Sequence, residues 1–174
     1  MATSIRMVNP RLVPGLVQTE DYARTVLAAG RPENLEDLVP ARLQRQHVLS
    51  RDENPAALWL VLEESVLRRP VGSEEVMRAQ LKKLCAIAET PRHVVQIIPS
   101  STQVVHDSGC PYGVLSFDEG ADVVHVDGFP RGYVLAEPCD VREASRAYDL
   151  LKAAAHGPEE SALLIESVIK GLSS

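Results

Sequence analysis

The chain has 174 residues, of which 45% are hydrophobic and 24% are charged, and its formal net charge at pH 7 is -6. This length and apolar content suffice for one domain with a hydrophobic core, which excludes general disorder. The acidic balance argues against a surface that grips a phosphate backbone, because such surfaces depend on clustered Lys and Arg. We therefore expect a single domain over residues 1–174 that does not bind nucleic acid by itself.

The cysteines and the apolar runs indicate the compartment. Cys85, Cys110 and Cys139 are widely spaced without a Cys-x-x-Cys pair, which matches neither a disulfide framework nor a zinc site. No apolar run approaches the roughly 18 residues that span a bilayer, and no signal peptide is recognisable at the start. The sequence also lacks a phosphate-binding Gly-rich loop and a Gly-x-Ser-x-Gly motif. These features predict a cytoplasmic protein without membrane contact, cofactor or metal.

The first part of the chain predicts an irregular segment followed by a short helix. Pro10, Pro14 and Gly15 interrupt the first 18 residues, so we expect them to be ordered but mostly non-helical. Thr19 offers an N-cap to a helix that ends at Gly30.

A second helix carries candidate ligand contacts. We expect Pro40 to be the first residue of this helix. Arg42 and Gln46, four positions apart, share a face of it. One interpretation is a polar face for an anionic or carbonyl-bearing ligand. The alternative is a solvated face, or a buried pair that braces Glu63 or Glu64.

The apolar stretch 58–62 predicts a central strand. Leu58, Leu60 and Leu62 should line one face, with Trp59 and Val61 on the other. Because both faces are apolar, the strand belongs inside a sheet rather than at its edge.

Two carboxylates follow this strand. If the strand persists, Glu63 and Glu64 point to opposite faces and cannot cooperate as an acid/base pair. We expect them to pair with neighbouring arginines and to organise structure.

The remaining pattern predicts a helix, a run of strands and two helices. Ser73 caps a helix that runs to about residue 89, and the predicted strands cover residues 94–98, 112–117, 122–127 and 133–137. Asp140 and Glu143 predict a capping box, and Pro158 begins the last helix. Closely spaced strands lack the crossovers that parallel pairing requires. The expected fold is therefore α+β, with a mainly antiparallel sheet covered by helices.

His125 and Asp127 are candidate catalytic residues. They stand two apart on one strand face, where a carboxylate can orient an imidazole for proton transfer near neutral pH. His106, in a long polar loop, is a third candidate. The alternative is that all three are ordinary solvent-facing side chains. The sequence contains no His-x-His or His-x-x-x-His spacing, so it predicts no metal site.

Several motifs run through nearly the whole chain: residues 13–19, 21–24, Arg42 with Arg45 and Gln46, 62–72, Met77 with Gln80, Leu81 and Leu84, and 96–99. In this order they resemble an actinobacterial domain of unknown function that usually follows an XRE-type helix-turn-helix in antitoxin-like transcriptional regulators. The chain starts where the resemblance starts, which predicts a free-standing domain without the DNA-binding helices. The family hairpin usually reads Val-Val-Tyr-Val-Glu, whereas this chain has Val-Val-His-Val-Asp over residues 123–127.

Two functions remain open at this point. The first is a regulator-derived domain that binds a small apolar molecule or a protein partner. The second is a cofactor-independent cyclase or isomerase of specialised metabolism that uses acid/base groups in the same pocket. A homodimer is compatible with either. The candidate ligand contacts are Trp59, Glu63, Arg42, Gln46 and Tyr112.

Overall fold

The computed structural model describes residues 1–102, 110–128 and 131–172. Within these ranges, six strands form one sheet in the order β3-β2-β1-β4-β5-β6. The strands are β1 (Ala2–Asn9), β2 (Ala57–Glu63), β3 (His93–Ile98), β4 (Tyr112–Phe117), β5 (Val123–Val126) and β6 (Tyr133–Leu135). The helices of the same ranges are α1 (Glu20–Ala28), α2 (Leu35–Gln44), α3 (Glu64–Arg68), α4 (Glu74–Ala88), α5 (Pro138–Ala154) and α6 (Pro158–Gly171), with short 3-10 segments at Gly15–Val17 and Arg45–Leu49.

The sheet is mixed, so the expectation of a mainly antiparallel sheet is wrong, although the α+β class is confirmed. Strand β2 lies parallel to both β1 and β3, whereas β4, β5 and β6 continue the sheet in antiparallel register from β1. The prediction failed because it took the N-terminal segment as irregular. With β1 inside the sheet, α1 and α2 form one helical crossover and α3 and α4 form the next, as parallel pairing requires.

Strand β1 is hard to recognise because Thr3, Ser4 and Arg6 interrupt its apolar residues. Arg6 lies over the Tyr148 ring at 5.8 Å and contacts Asp122 at 3.9 Å. A long side chain of this kind can pack its stem on apolar surface while its charge reaches a partner.

Each face of the sheet packs against its own set of helices. Leu58, Leu60 and Leu62 belong to the core on the side of α1, α3, α4 and α6, whereas Val61 packs with Tyr148 of α5 on the opposite side. The predicted alternation of β2 and its position inside the sheet are confirmed. We call these sides the four-helix face and the α5 face.

Several predicted boundaries need correction. Pro40 lies inside α2 rather than at its start, and the buried Val39 beside it helps to hold that helix in place. Helix α5 begins at Pro138 after the N-cap residue Glu137, so Asp140 and Glu143 form no capping box. Strand β6 ends at Leu135, two residues before the predicted end. The Thr19 and Ser73 caps, the hairpin of β4 and β5, and Pro158 as the first residue of α6 are confirmed.

The two edges of the sheet differ. At the β3 edge, the backbone N–H of Ile97 donates to Ser161 Oγ at 3.0 Å, and the N–H of His156 donates to the Ile97 carbonyl at 2.9 Å. The β6 edge pairs with β5 only, as far as the structure describes the chain. One edge is therefore covered by His156 and the first part of α6, whereas the other carries no further strand from the described residues.

No helix in the described ranges has the length and apolar character needed to cross a lipid bilayer.

Candidate functional site

A partly buried polar network joins the N-terminal segment to α2, to the 3-10 segment after it and to α4. We call it the glutamine network, and its members are Gln18, Arg42, Gln46, Gln80 and Lys83. Gln46 Nε2 donates to the carbonyl of Gln18 at 2.8 Å, and its Oε1 accepts from Lys83 Nζ at 2.8 Å. Gln80 Oε1 accepts from the Thr19 N–H at 2.8 Å, and its Nε2 donates to the Val17 carbonyl at 2.9 Å. Buried amides paired in this way fix the position of a segment.

Arg42 and Gln46 therefore point into the protein rather than toward an external ligand. Arg42 passes along Gly15 and donates to Gln18 Oε1 at 3.2 Å, and Gln46 Nε2 also donates to the Gly15 carbonyl at 2.9 Å. Burial lowers the pKa of Arg42, the charge of Arg45 lowers it further, and Asp127 raises it. Of the two interpretations made from sequence, this geometry favours the bracing pair, although the partner is the N-terminal segment rather than a glutamate.

The two glutamates after β2 have different environments. Glu64 begins α3, and its carboxylate accepts from the Ser100 N–H at 2.9 Å and from Arg68 Nε at 2.8 Å. These two contacts lower the pKa of Glu64. Glu63 is exposed and its Oε2 accepts from Ser65 Oγ at 3.4 Å. Glu64 thus braces the loop after β3, and Glu63, the predicted ligand contact, faces solvent.

Trp59 holds α5 against the sheet. Its Nε1 donates to Gln96 Oε1 at 2.7 Å, and the Lys152 ammonium lies 4.8 Å from the ring centroid. The Tyr148 hydroxyl donates to the Trp59 carbonyl at 3.0 Å. The Trp59 Nε1 and one face of its ring are thus held by the protein, while the residue remains 37% exposed, and this geometry favours a packing role.

His125 and Asp127 lie together at the end of β5, on the four-helix face of the sheet. Nδ1 of His125 is 3.6 Å from Asp127 Oδ1, and the two side chains are 45% and 53% exposed. The His125 ring packs against Gly132. The pair has the expected proximity, but it lies near the surface. The third candidate, His106, lies outside the described residues.

Tyr112, the last predicted ligand contact, lines a cavity of about 300 Å³ between the sheet and α5. We call this site the α5 cavity. Its lining consists of Cys110, Tyr112, Val124, Val126, Tyr133, Leu135, Asp140, Glu143, Ala144 and Ala147. The apolar side chains come mainly from β4, β5 and β6, and the two carboxylates come from the first turns of α5. Such a shape, apolar with a few polar groups to one side, is typical of small binding sites.

Sequence reasoning missed most of this site. The sequence pattern assigns Asp140 and Glu143 to helix capping, and it gives Tyr133 no role beyond a place in a strand. The signal that could have found them is the order of elements, because Pro138 starts α5 directly after the short strand β6. Because α5 begins so close to the end of β6, the acidic residues in the first turns of α5 lie near the β6 edge of the sheet.

Two other cavities are larger than the α5 cavity. One, of about 390 Å³, lies between α3, α4 and α6 and combines Leu67, Met77 and Val168 with Arg68 and Glu74. The second, of about 680 Å³, is a broad groove on α5 beside Asp122. Neither these two cavities nor the α5 cavity is lined by His125 or Asp127.

The fold and the cavity together define a single-domain α+β protein in which a helix and a mixed sheet line an open, mainly apolar site. Residues 1–167 match the family described as "Domain of unknown function (DUF5753)", and the chain belongs to that family. The sequence resemblance to a domain of unknown function is confirmed to this extent. No curated protein and no solved structure matches the chain.

Proposed function

We propose that this chain is a binding domain whose α5 cavity receives an apolar group. The observation that carries the proposal is the cavity itself: about 300 Å³, lined by Val124, Val126, Leu135 and two tyrosines. Burying apolar surface there stabilises a complex by about 25 cal/mol per Å² before the costs of association. The proposal fits the two ligand classes expected from sequence, a small apolar molecule or an apolar group of a protein partner.

The geometry supports binding better than it supports catalysis. Strand alternation places His125 on the four-helix face, whereas Val124 and Val126, its neighbours in β5, face α5. The candidate acid/base pair and the α5 cavity are therefore on opposite sides of the sheet. The cyclase or isomerase alternative requires both in one pocket, and none of the three cavities provides this combination.

We also propose that the domain derives from XRE-type regulators of actinobacteria, acts in the cytoplasm and does not bind DNA through this chain. The motifs at residues 13–19 and 62–72 support the derivation. The formal charge of -6 supports the absence of a DNA contact, because it opposes an approach to phosphates.

The binding proposal can be tested with a neutral apolar dye, N-phenyl-1-naphthylamine, whose fluorescence rises in apolar surroundings. Ala144→Phe places a ring at the cavity wall, and Ala153→Phe makes the same change at an exposed position of α5. We expect the first variant to bind the dye about tenfold more weakly, equivalent to about 1.4 kcal/mol. The second variant should bind like the unmodified protein.

Circular dichroism and urea denaturation of both variants establish that α5 remains folded. If the dye does not bind the unmodified protein, or if both variants bind it equally well, the α5 cavity is not the binding site.

A further inference from the structure

We infer that the natural occupant of the α5 cavity is an extended segment of a partner protein, which adds to the sheet beside β6. An apolar side chain of this segment enters the cavity, and a neighbouring basic side chain pairs with Asp140 and Glu143. The inference rests on the proposed function, because it names the partner for the same cavity. Strand addition of this kind takes affinity from main-chain hydrogen bonds and specificity from pockets for alternate side chains.

The first observation is the difference between the sheet edges. At β3, side-chain and backbone groups of Ser161 and His156 occupy the hydrogen-bonding groups of Ile97. At β6, the structure pairs the strand on its β5 side only, within the described residues. Proteins usually cover or disrupt an exposed edge, because unpaired backbone groups invite another strand. An edge that the described part of the chain leaves unpaired, beside a cavity, is therefore a suitable place for an incoming strand.

The second observation is the exposure of apolar side chains along this edge. Tyr133 is 53% exposed and Val134 is 59% exposed, although both belong to a strand. Tyr133 pairs with Val126 and lines the α5 cavity, whereas Val134 pairs with His125 on the other face. A strand added to β6 would cover both, with alternate residues on the two faces. Its residues on the α5 face would lie beside Tyr133 and above the cavity.

The third observation is the charge on the rim of the cavity. Asp140 and Glu143 form no ion pair within the described ranges, and α5 does not use either of them as an N-cap. Asp140 lies in the first turn, where the helix dipole favours a negative charge. Glu143 lies one turn later and faces the same cavity. A Lys or Arg two positions from the apolar residue of the incoming strand would project from the same face toward these carboxylates.

A second copy of the chain fits this surface less well. A two-fold pairing of β6 with itself would place both copies of α5 on the same face of the joined sheet. The carboxylates of both copies would then lie on the same face of the dimer. Each molecule also carries a formal charge of -6. Like charges repel in this arrangement, whereas a basic segment complements it.

The test uses a small set of capped synthetic peptides of the form Thr-X-Thr-Z-Thr-X-Thr, in which X is Lys, Thr or Glu and Z is Leu, Phe or Thr. Binding is followed by backbone-amide NMR of the full chain and by displacement of N-phenyl-1-naphthylamine. We expect peptides with X as Lys and Z as Leu or Phe to bind, with amide shifts at Tyr133, Val134 and Leu135. Replacing Lys by Glu, or N-methylating the peptide backbone on the pairing edge, should weaken binding at least tenfold.

A double variant of the protein, Asp140→Asn with Glu143→Gln, should lose the preference for Lys over Thr. The inference about the partner is overturned if no peptide binds while the dye does, or if N-methylation has no effect. It is also overturned if sedimentation shows a dimer that Val134→Lys dissociates, because β6 would then pair with a second copy. Failure of the dye itself to bind would instead overturn the proposed function.

Discussion

The phenolic hydroxyl of Tyr112 donates a hydrogen bond to the backbone carbonyl of Ala144 over 3.2 Å. This contact ties β4 to α5 at the wall of the α5 cavity, where Tyr112 is buried. The pKa of Tyr112 is raised to about 12, mainly by burial and also by Asp149 and Cys110, whereas Arg6 opposes them. The phenol therefore stays protonated at neutral pH, where it contributes a hydrogen bond rather than a charge.

Tyr112→Phe should flatten the alkaline loss of stability. The unfolded tyrosine ionises near pH 10, while the folded pKa is about 12. The stability linked to the neutral phenol is fully present below about pH 10 and is lost as the pH rises toward 12, with a slope of about 1.4 kcal/mol per pH unit for one group. Burial also raises the pKa values of Tyr22 and Tyr148, which remain in the variant. The slope should therefore decrease rather than vanish.

Urea denaturation at about pH 7, 9 and 11 measures this effect, and Tyr112→Phe should also cost about 1 kcal/mol at neutral pH for the lost hydrogen bond. The control is Tyr133→Phe, since Tyr133 is exposed at the sheet edge. Equal alkaline slopes for the two variants would contradict the assignment of the effect to Tyr112.

Gln46→Ala should destabilise the fold far more than an ordinary glutamine substitution. It removes the amide that donates to Gly15 and Gln18 and that accepts from Lys83. Burial lowers the pKa of Lys83, so its ammonium depends on the remaining acceptors. We expect a loss of about 2–3 kcal/mol in the free energy of unfolding, seen as a lower urea midpoint with an unchanged m-value. Gln44→Ala is the matched control, because Gln44 is the last residue of α2, two positions before Gln46, and is exposed. Similar losses in both variants would show that the network is not a brace.

The sequence could predict elements whose signals are local and strong. The caps at Thr19 and Ser73 and the two-faced strand β2 follow from residue pattern alone, and they are present. Strand β1 could not be recognised, because Arg6 in its interior is accommodated by Tyr148, Ser145 and Asp122, which are distant in the chain. Missing this one strand changed the predicted sheet from mixed to antiparallel.

The candidate site was predicted less well, for a related reason. Arg42, Gln46 and Trp59 are polar or amphipathic residues of a kind that often binds ligands, but their partners come from distant segments and are internal. Of the predicted ligand contacts, Tyr112 alone lines the α5 cavity. The carboxylates of the cavity come from α5, whose predicted N-cap, Asp140, lies three residues after the observed one, Glu137. Which face a strand buries can be read from alternation, but which helix covers that face depends on the whole chain.

Glu64→Gln should reduce stability at neutral pH and have little effect in acid. The Ser100 N–H and the Arg68 guanidinium lower the pKa of Glu64. The linked stability is therefore present above the unfolded pKa of about 4.3 and is lost as the pH falls through the lower, folded value. We expect a loss of about 1 kcal/mol in the free energy of unfolding at neutral pH. The loss is small because Arg68 is 56% exposed, so that solvent screens its contribution.

The measurement is the urea midpoint at about pH 7 and at about pH 3, where the midpoints of Glu64→Gln and the unmodified protein should converge. Glu63→Gln is the control at the neighbouring, exposed carboxylate. A difference that stays constant between the two pH values would mean that the amide acts through packing and not through lost charge.

His125→Ala and Asp127→Asn should leave binding at the α5 cavity intact. Both residues lie near the surface on the four-helix face, and the sheet separates them from Val124, Val126 and α5. We expect the affinity for N-phenyl-1-naphthylamine to change less than about twofold in either variant, equivalent to less than about 0.4 kcal/mol. Ala144→Phe, measured in parallel, shows what a direct change to the cavity does. A tenfold loss in His125→Ala with an unchanged urea midpoint would mean that the ligand reaches the four-helix face, and it would restore the acid/base pair as part of the site.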